Sequence, residues 1–148
     1  DRRIVRPGAP FDAGGVTFEA FEVHHSLRAP AVGYRIGAGP ARAFYVPDVA
    51  AIERRRAALR GVDLYIGDGA TIARSMVRMR GGTPIGHAPI AAQLGWCKAE
   101  AVARAIFTHC GSGIVKAATR AVEARIREMG AAAGVAARVA YDGLTISL

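Results

Sequence analysis

Ala43-Phe44-Tyr45-Val46-Pro47-Asp48 is an apolar run closed by a proline and an acid. Aromatic and β-branched residues favour a pleated strand, and Pro47, with no N–H to donate, ends it. The acid therefore stands just beyond a strand end. Three other runs are built the same way: residues 18–23 lead into His25, residues 62–66 into Asp68, and residues 105–108 into His109. Open α/β sheets gather ligands and chemistry beyond the carboxyl ends of their strands. Histidine and aspartate arriving there together form a ligand set for a first-row divalent metal. His87, in a glycine-rich loop, is a further candidate.

Outward from these runs, strands alternate with helices, which argues an α/β layered fold. Residues 3–5 read as a short extended segment. Residues 16–23 read as a strand whose alternation slips near Ala20, as a β-bulge would make it. Residues 31–36 and 42–46 read as strands around a turn at 37–40. Residues 50–60 read as a helix stopped by Gly61, residues 62–66 as a buried strand, and residues 72–79 as helical up to Gly81-Gly82. A second helix is expected over 88–98 and a buried strand over 105–108. The longest helix is expected over 114–129, with Ile114, Ala117, Ala118, Ala121, Ile126 and Met129 as its apolar stripe and Gly130 as its stop. Residues 137–141 and 144–148 read as a hairpin about Asp142-Gly143.

At 148 residues, 51% hydrophobic, the chain can bury one core and reads as one domain. No apolar run approaches the roughly 20 residues of a membrane span. No basic-then-apolar leader opens it, so a cytoplasmic protein without a membrane partner is expected. Cys97, beside Trp96 in an expected helix, reads as a buried thiol. Cys110 follows His109, but neighbours on a strand face opposite sides, which argues against a nucleophile–base pair. The net charge is +8, and Lys98 and Lys116 are the only lysines. Cations cluster at Arg54, Arg55 and Arg56, at Arg74, Arg78 and Arg80, and at Lys116, Arg120, Arg125 and Arg127. No aromatic residues interleave with them as a base-stacking platform requires. Solvated helix faces are the plainer reading, with mild steering of a phosphate-bearing substrate as an addition.

Taken in order, the motifs resemble the C-terminal half of a metallo-β-lactamase-fold hydrolase. The residues that carry the resemblance are His25-Ser26, Val32-Gly33-Tyr34-Arg35-Ile36, residues 44–48, residues 63–68, Gly86-His87-Ala88, Phe107-Thr108-His109 and Tyr141-Asp142-Gly143. The nearest pattern is the branch of phosphoribosyl cyclic phosphodiesterases, with tRNA 3′-endonucleases as more distant relatives. The resemblance implies an αββα sandwich, of which this chain would supply a mixed sheet with helices on its outer face. It implies two divalent cations, zinc or manganese, that activate a water for attack on a phosphodiester. Under it, His25 and His109 would each ligate one metal and Asp48 would bridge both. His87 would face the substrate phosphate and donate a proton, and Asp68 would orient a ligand from the second layer of the site.

Each assignment has a plainer rival. His24 competes with His25, Asp48 could cap a following helix, and His87 could simply start one. Gly67-Asp68-Gly69 is ordinary turn chemistry, and Ser112 reads as a helix cap. Arg28 and Arg35 are weaker candidates for substrate contact. Hydrolases of this family also carry a His-x-His-x-Asp-His loop, and no His-x-His occurs in the chain. Its first residue is Asp1 and its first methionine Met76. Residues 1–148 are therefore expected to be the C-terminal part of a single domain, inactive without the missing half. A small phosphate-containing substrate is the expected partner; RNA and a homodimer remain open. The alternative function is a non-catalytic basic α/β module that binds RNA or a protein.

Overall fold

Strands Phe11–Ala13 (β1), Val16–His24 (β2), Ala31–Ala38 (β3) and Ala41–Tyr45 (β4) follow one another as antiparallel neighbours. The sheet then continues in parallel through Leu64–Asp68 (β6), Arg104–Thr108 (β9) and Ala136–Val139 (β10). A two-residue strand, Ala51–Ile52 (β5), pairs with the end of β2. Arg78–Arg80 (β7) and Thr83–Ile85 (β8) form a separate ribbon. The helices are Arg55–Leu59 (α1), Ile90–Ala99 (α2), Ser112–Val115 (α3) and Thr119–Ala133 (α4). These assignments come from a computed structural model that describes residues 4–117 and 119–148. Arg3 and Ala118, both named in the sequence-based expectations, lie outside the described residues.

This topology makes the functional edge. Strands β4, β6 and β9 run parallel, so their carboxyl ends emerge together. Two antiparallel steps separate β2 from β4, so β2 points the same way. Residues following all four strands therefore meet on one side of the sheet. The core fixes that edge from below. Phe21 on β2, Phe44 on β4, Tyr65 on β6 and Phe107 on β9 line up across the sheet, with successive ring centroids 6.0, 6.3 and 6.4 Å apart. Ile90, Leu94 and Ile126 belong to the same buried cluster. Burying each such side chain contributes about 1.5–3 kcal/mol. On the opposite face a smaller cluster of Ala43, Leu64 and Ile106 is packed by Ile66, Ala140, Leu144 and Ile146.

Five local expectations are corrected. The β2–β3 register runs unbroken from Thr17↔Gly37 to Val23↔Ala31, so there is no bulge at Ala20. Residues 50–53 are not helical: Ala50 N–H donates to His24 O at 2.6 Å and Glu53 N–H to Glu22 O at 3.2 Å. Pairing with β2 overrides the helix propensity of that alanine-rich stretch, leaving only the short α1. Gly81 and Gly82, at φ +54° and +80°, form a hairpin turn between β7 and β8 rather than ending a helix. The long helix is divided into α3 and α4, and α4 continues through Gly130. A Cβ there would lie 2.5 Å from both the Ala137 Cβ and the Val135 carbonyl, so this glycine lets the chain return closely. Gly134, at φ +73°, follows the true end. Finally, β10 pairs in parallel with β9, and residues 144–148 form no strand. Their Leu144 and Ile146 instead pack on the sheet face.

Candidate metal centre

His25 follows β2 directly, Asp48 stands three residues past β4, Asp68 is the last residue of β6, and His109 follows β9. His87 comes from the loop between β8 and α2. The Asp48 carboxylate is the meeting point. Its Oδ1 lies 3.3 Å from His109 Nδ1, 3.8 Å from His87 Nδ1 and 3.9 Å from His25 Nε2. Asp48, Asp68, His87 and His109 each offer a donor atom within 4.8 Å of the others. His25 stands at the edge of this group, its ring centroid 4.9 Å from that of His87.

Backbone contacts hold each ring. Gly86 N–H donates to His25 O at 2.8 Å, and His25 Nδ1 lies 3.2 Å from Gly86 O. A proton on Nδ1 satisfies that carbonyl and leaves Nε2 with a free lone pair toward Asp48. Gly86 sits at φ +102°, and a Cβ there would lie 2.3 Å from Met76 O. Only glycine fits without displacing the crossing backbone. His109 is held in the left-handed region at φ +52°. Such backbone costs about 1–3 kcal/mol and persists only where the surroundings enforce it. Here Gly69 N–H donates to Thr108 O at 2.6 Å and Gly111 N–H to Gly69 O at 3.1 Å, locking the loops before and after His109 together.

Asp68 is fully buried, yet every part of its carboxylate is used. Oδ1 accepts from Ala70 N–H at 2.8 Å; Oδ2 accepts from Val49 N–H at 3.1 Å and faces His87 Nδ1 at 2.7 Å. That arrangement suits an anchor that orients His87 and the Asp48–Val49 loop. Proximity alone also admits Asp68 as a direct ligand, but its oxygens are already engaged.

Sequence reasoning missed Gln93. It lies on α2, fully buried, and binds the backbone of Asp68 from both sides. Its Oε1 accepts from Asp68 N–H and from the Tyr65 hydroxyl, each at 2.9 Å. Its Nε2 donates to Asp68 O at 2.7 Å and to Ala88 O at 2.8 Å. One amide thus ties the β6 end to the His87 loop. The legible signal was a single glutamine among apolar residues in the 88–98 stretch.

The rival readings separate clearly. His24 forms a short pair with Glu53, away from the cluster, so His25 is the histidine presented there. No helix begins after Asp48, which removes the cap reading. His87 does not start a helix either, because α2 opens at Ile90 after Pro89. Ser112 makes no cap bond, and the residue at the cap of α3 is Gly111. Arg35 is engaged by Glu19 and by Ala57 O, which keeps it on the helix-covered face. Burial, followed by the neighbouring Asp68 charge, raises the Cys110 thiol pKa, so this cysteine is not an activated thiolate. Burial pushes Cys97 up to about 12. Burial raises the Tyr65 phenol well above its usual range, with Cys97 and Asp68 adding to the effect.

The donor set suits a divalent metal. Two donors held tetrahedrally at about 2.0 Å stand roughly 3.3 Å apart, and Asp48 Oδ1 and His109 Nδ1 are separated by 3.3 Å. His87 and His25 stand farther from the same oxygen, at 3.8 and 3.9 Å.

Known proteins place this geometry in context. The Beta-lactamase superfamily domain matches residues 1–110. No curated protein matches. Among solved structures, the metallo-beta-lactamase fold protein YhfI from Bacillus subtilis superposes with TM-score 0.72 at 17% identity, over 94% of this chain and 52% of its own. A protein from Parabacteroides distasonis ATCC 8503, provisionally described as a metal-dependent hydrolase, gives TM-score 0.63 at 10% identity, over 94% and 57%. A diphosphatase from the PhnP family gives 0.55 at 17%, over 92% and 44%. The chain thus spans about half the length of the structures it matches. With the family domain over residues 1–110 and the shared mixed sheet with its helices, the chain belongs to the beta-lactamase superfamily and has the metallo-β-lactamase fold.

Proposed function

We propose that this chain carries one half of the active site of a metal-dependent hydrolase that cleaves phosphodiesters. The observation that carries the reading is the Asp48 Oδ1 position, within 3.9 Å of nitrogens from His25, His87 and His109. Asp48, His25 and His109 would hold the divalent metal, with Asp48 as the residue they share. Two divalent cations, zinc or manganese, would supply Lewis acidity and neutralise charge on the attacking and leaving oxygens.

His87 has a different task. Its Nδ1 is spent on Asp68 at 2.7 Å, which leaves Nε2 as the free nitrogen. A proton carried at that nitrogen would be placed to pass to a leaving alkoxide. With Asp48 counted for both cations, this chain offers each of them two donors, whereas catalytic zinc sites normally hold three protein ligands. The remaining donors would come from a His-x-His-x-Asp-His segment of the same domain, a motif that residues 1–148 do not contain. A small phosphate-bearing substrate in the cytoplasm fits the positive charge, and a diphosphatase of the PhnP family shares this fold.

The test is hydrolysis of bis(p-nitrophenyl) phosphate and of an alkyl phosphodiester by the complete domain, with and without zinc or manganese. Metal-dependent turnover that Asp48→Ala abolishes supports the assignment. Turnover that survives chelation and Asp48→Ala overturns it.

A further inference from the structure

A cleft of about 600 Å³ opens at the end of the sheet opposite the metal centre. Its floor is the start of β2, the end of β3 and the start of β4, where Thr17, Gly37 and Arg42 lie side by side in register. Glu19 and Arg35 form the next row, and Arg60, at the end of α1, closes the side. Asp48 stands six residues beyond Arg42 in the chain, a separation of up to about 20 Å at the rise of a strand. The acids at this cleft are already engaged. Glu19 pairs with the Arg35 guanidinium, which also donates to Ala57 O at 2.9 Å and lies over the Phe21 ring at 5.2 Å. Arg35 is therefore a wall of the cleft and not a free grip. Asp63 Oδ2 accepts the backbone N–H of Arg42 at 2.7 Å, and Asp63 N–H donates to Arg42 O at 2.8 Å. That exchange fixes the Arg42 backbone beside the chain that follows α1 and leaves its guanidinium unneutralised. Arg42 and Arg60 are both exposed, and among the described residues neither has a salt-bridge partner.

Gly37 supplies a second, independent observation. Gly15, Gly39 and Gly61, which also line the cleft, take φ +80°, +56° and +67°, as their turns require. Gly37 takes no such conformation, and a Cβ there would meet only Ala41 O, at 4.0 Å. Neither backbone nor packing asks for glycine at this strand position, where it weakens the strand. The missing side chain instead keeps the floor open between Thr17 and Arg42. Among the described residues no aromatic ring lines the cleft, so a nucleobase has nothing to stack on. Guanidinium groups hold carboxylate and phosphate through forked, charge-assisted hydrogen bonds. Two of them around an open floor suit a compact ligand with two anionic groups.

We propose that the Arg42–Arg60 cleft binds a compact polyanion, a small polycarboxylate or a short phosphate chain, at a site separate from the metal centre. The test is a titration of the complete domain, freed of metal by a chelator, with citrate and pyrophosphate at low ionic strength. Acetate and inorganic phosphate serve as controls with a single anionic group. Backbone amide NMR locates the response, which is expected at residues 17, 37, 42 and 60–61. Citrate or pyrophosphate should bind at least tenfold more tightly than its control, and the tighter of the two identifies the anionic group. Affinity should fall roughly tenfold for each arginine removed in Arg42→Ala and Arg60→Ala. Both side chains are exposed, so these variants should fold. Gly37→Val fills the floor without touching either arginine. Valine favours strands, so this variant should melt no lower than the unaltered protein and yet lose the response. Binding that survives Gly37→Val or the double alanine variant overturns the site. So does an absence of shifts at these residues with every anion, or equal affinity for the controls, which would reflect general attraction to a basic surface.

Discussion

Replacing Gln93 by leucine, a residue of similar length, should destabilise the protein by about 4 kcal/mol or more and loosen the metal centre without touching a ligand. The Gln93 amide meets Asp68 N–H, Asp68 O, Ala88 O and the Tyr65 hydroxyl at 2.7–2.9 Å. Leucine would orphan all of these partners. Gln93 and Tyr65 are both fully buried, so water cannot easily replace the amide. Each orphaned group costs about 1–3 kcal/mol, and the low end applies because neighbours relax. The effect would be a large share of the 5–15 kcal/mol typical of a domain. Tyr65→Phe is the internal control. It removes one hydroxyl and leaves Gln93 Oε1 bonded to Asp68 N–H, so it should cost only about 1 kcal/mol. Urea unfolding followed by circular dichroism measures both. Metal affinity should also fall in Gln93→Leu, by about 10–100-fold, because Asp68 no longer holds the His87 ring. A loss below 1 kcal/mol with unchanged metal affinity would refute the claim that Gln93 positions the site.

Other expectations follow from particular contacts. His25→Ala should reduce zinc binding at least tenfold, whereas His24→Ala, which only releases Glu53, should leave it unchanged in the same dye-competition titration. Gly86→Ala must displace the Met76 carbonyl that a Cβ would meet at 2.3 Å, so it should weaken metal binding and stability together. His87→Ala in the complete domain should slow an alkyl phosphodiester by about 10²–10⁴-fold and slow a p-nitrophenyl ester much less, since that leaving group needs no proton. Stability should fall as pH rises from about 9 to about 12. The thiol of Cys97 has its pKa raised from 9.0 to about 12 on folding, so the unfolded chain ionises first and the folded state loses ground by up to about 1.4 kcal/mol per pH unit. Cys97→Ala should flatten that decline in thermal melts, leaving the part owed to Tyr65.

The strand-end pattern was readable because period-two apolar runs and the groups that follow them are both local in sequence. Residues 43–48 gave a strand and a presented acid, and β4 and Asp48 bear that reading out. What stayed hidden depended on partners far along the chain. Residues 50–53 have helical composition but pair with β2, and residues 144–148 look like a strand but lie across the sheet face. Gly130 carried a stop signal that close packing against Ala137 explains differently. The Gln93 network joins β6, α2 and the His87 loop, so no spacing rule could expose it. The left-handed backbone of His109 was equally invisible, since it is imposed by interlocking glycines at 69 and 111.

The central claim is that Asp48 joins the histidines around bound metal. Crystals of the protein grown with zinc, measured on both sides of the zinc absorption edge, test it directly. An anomalous peak is expected about 2.0–2.2 Å from both an Asp48 carboxylate oxygen and His109 Nδ1, with His25 Nε2 turned toward the same carboxylate. Zinc bound only elsewhere on the protein, or Asp48 and His109 left more than about 3 Å from any anomalous peak, would contradict it.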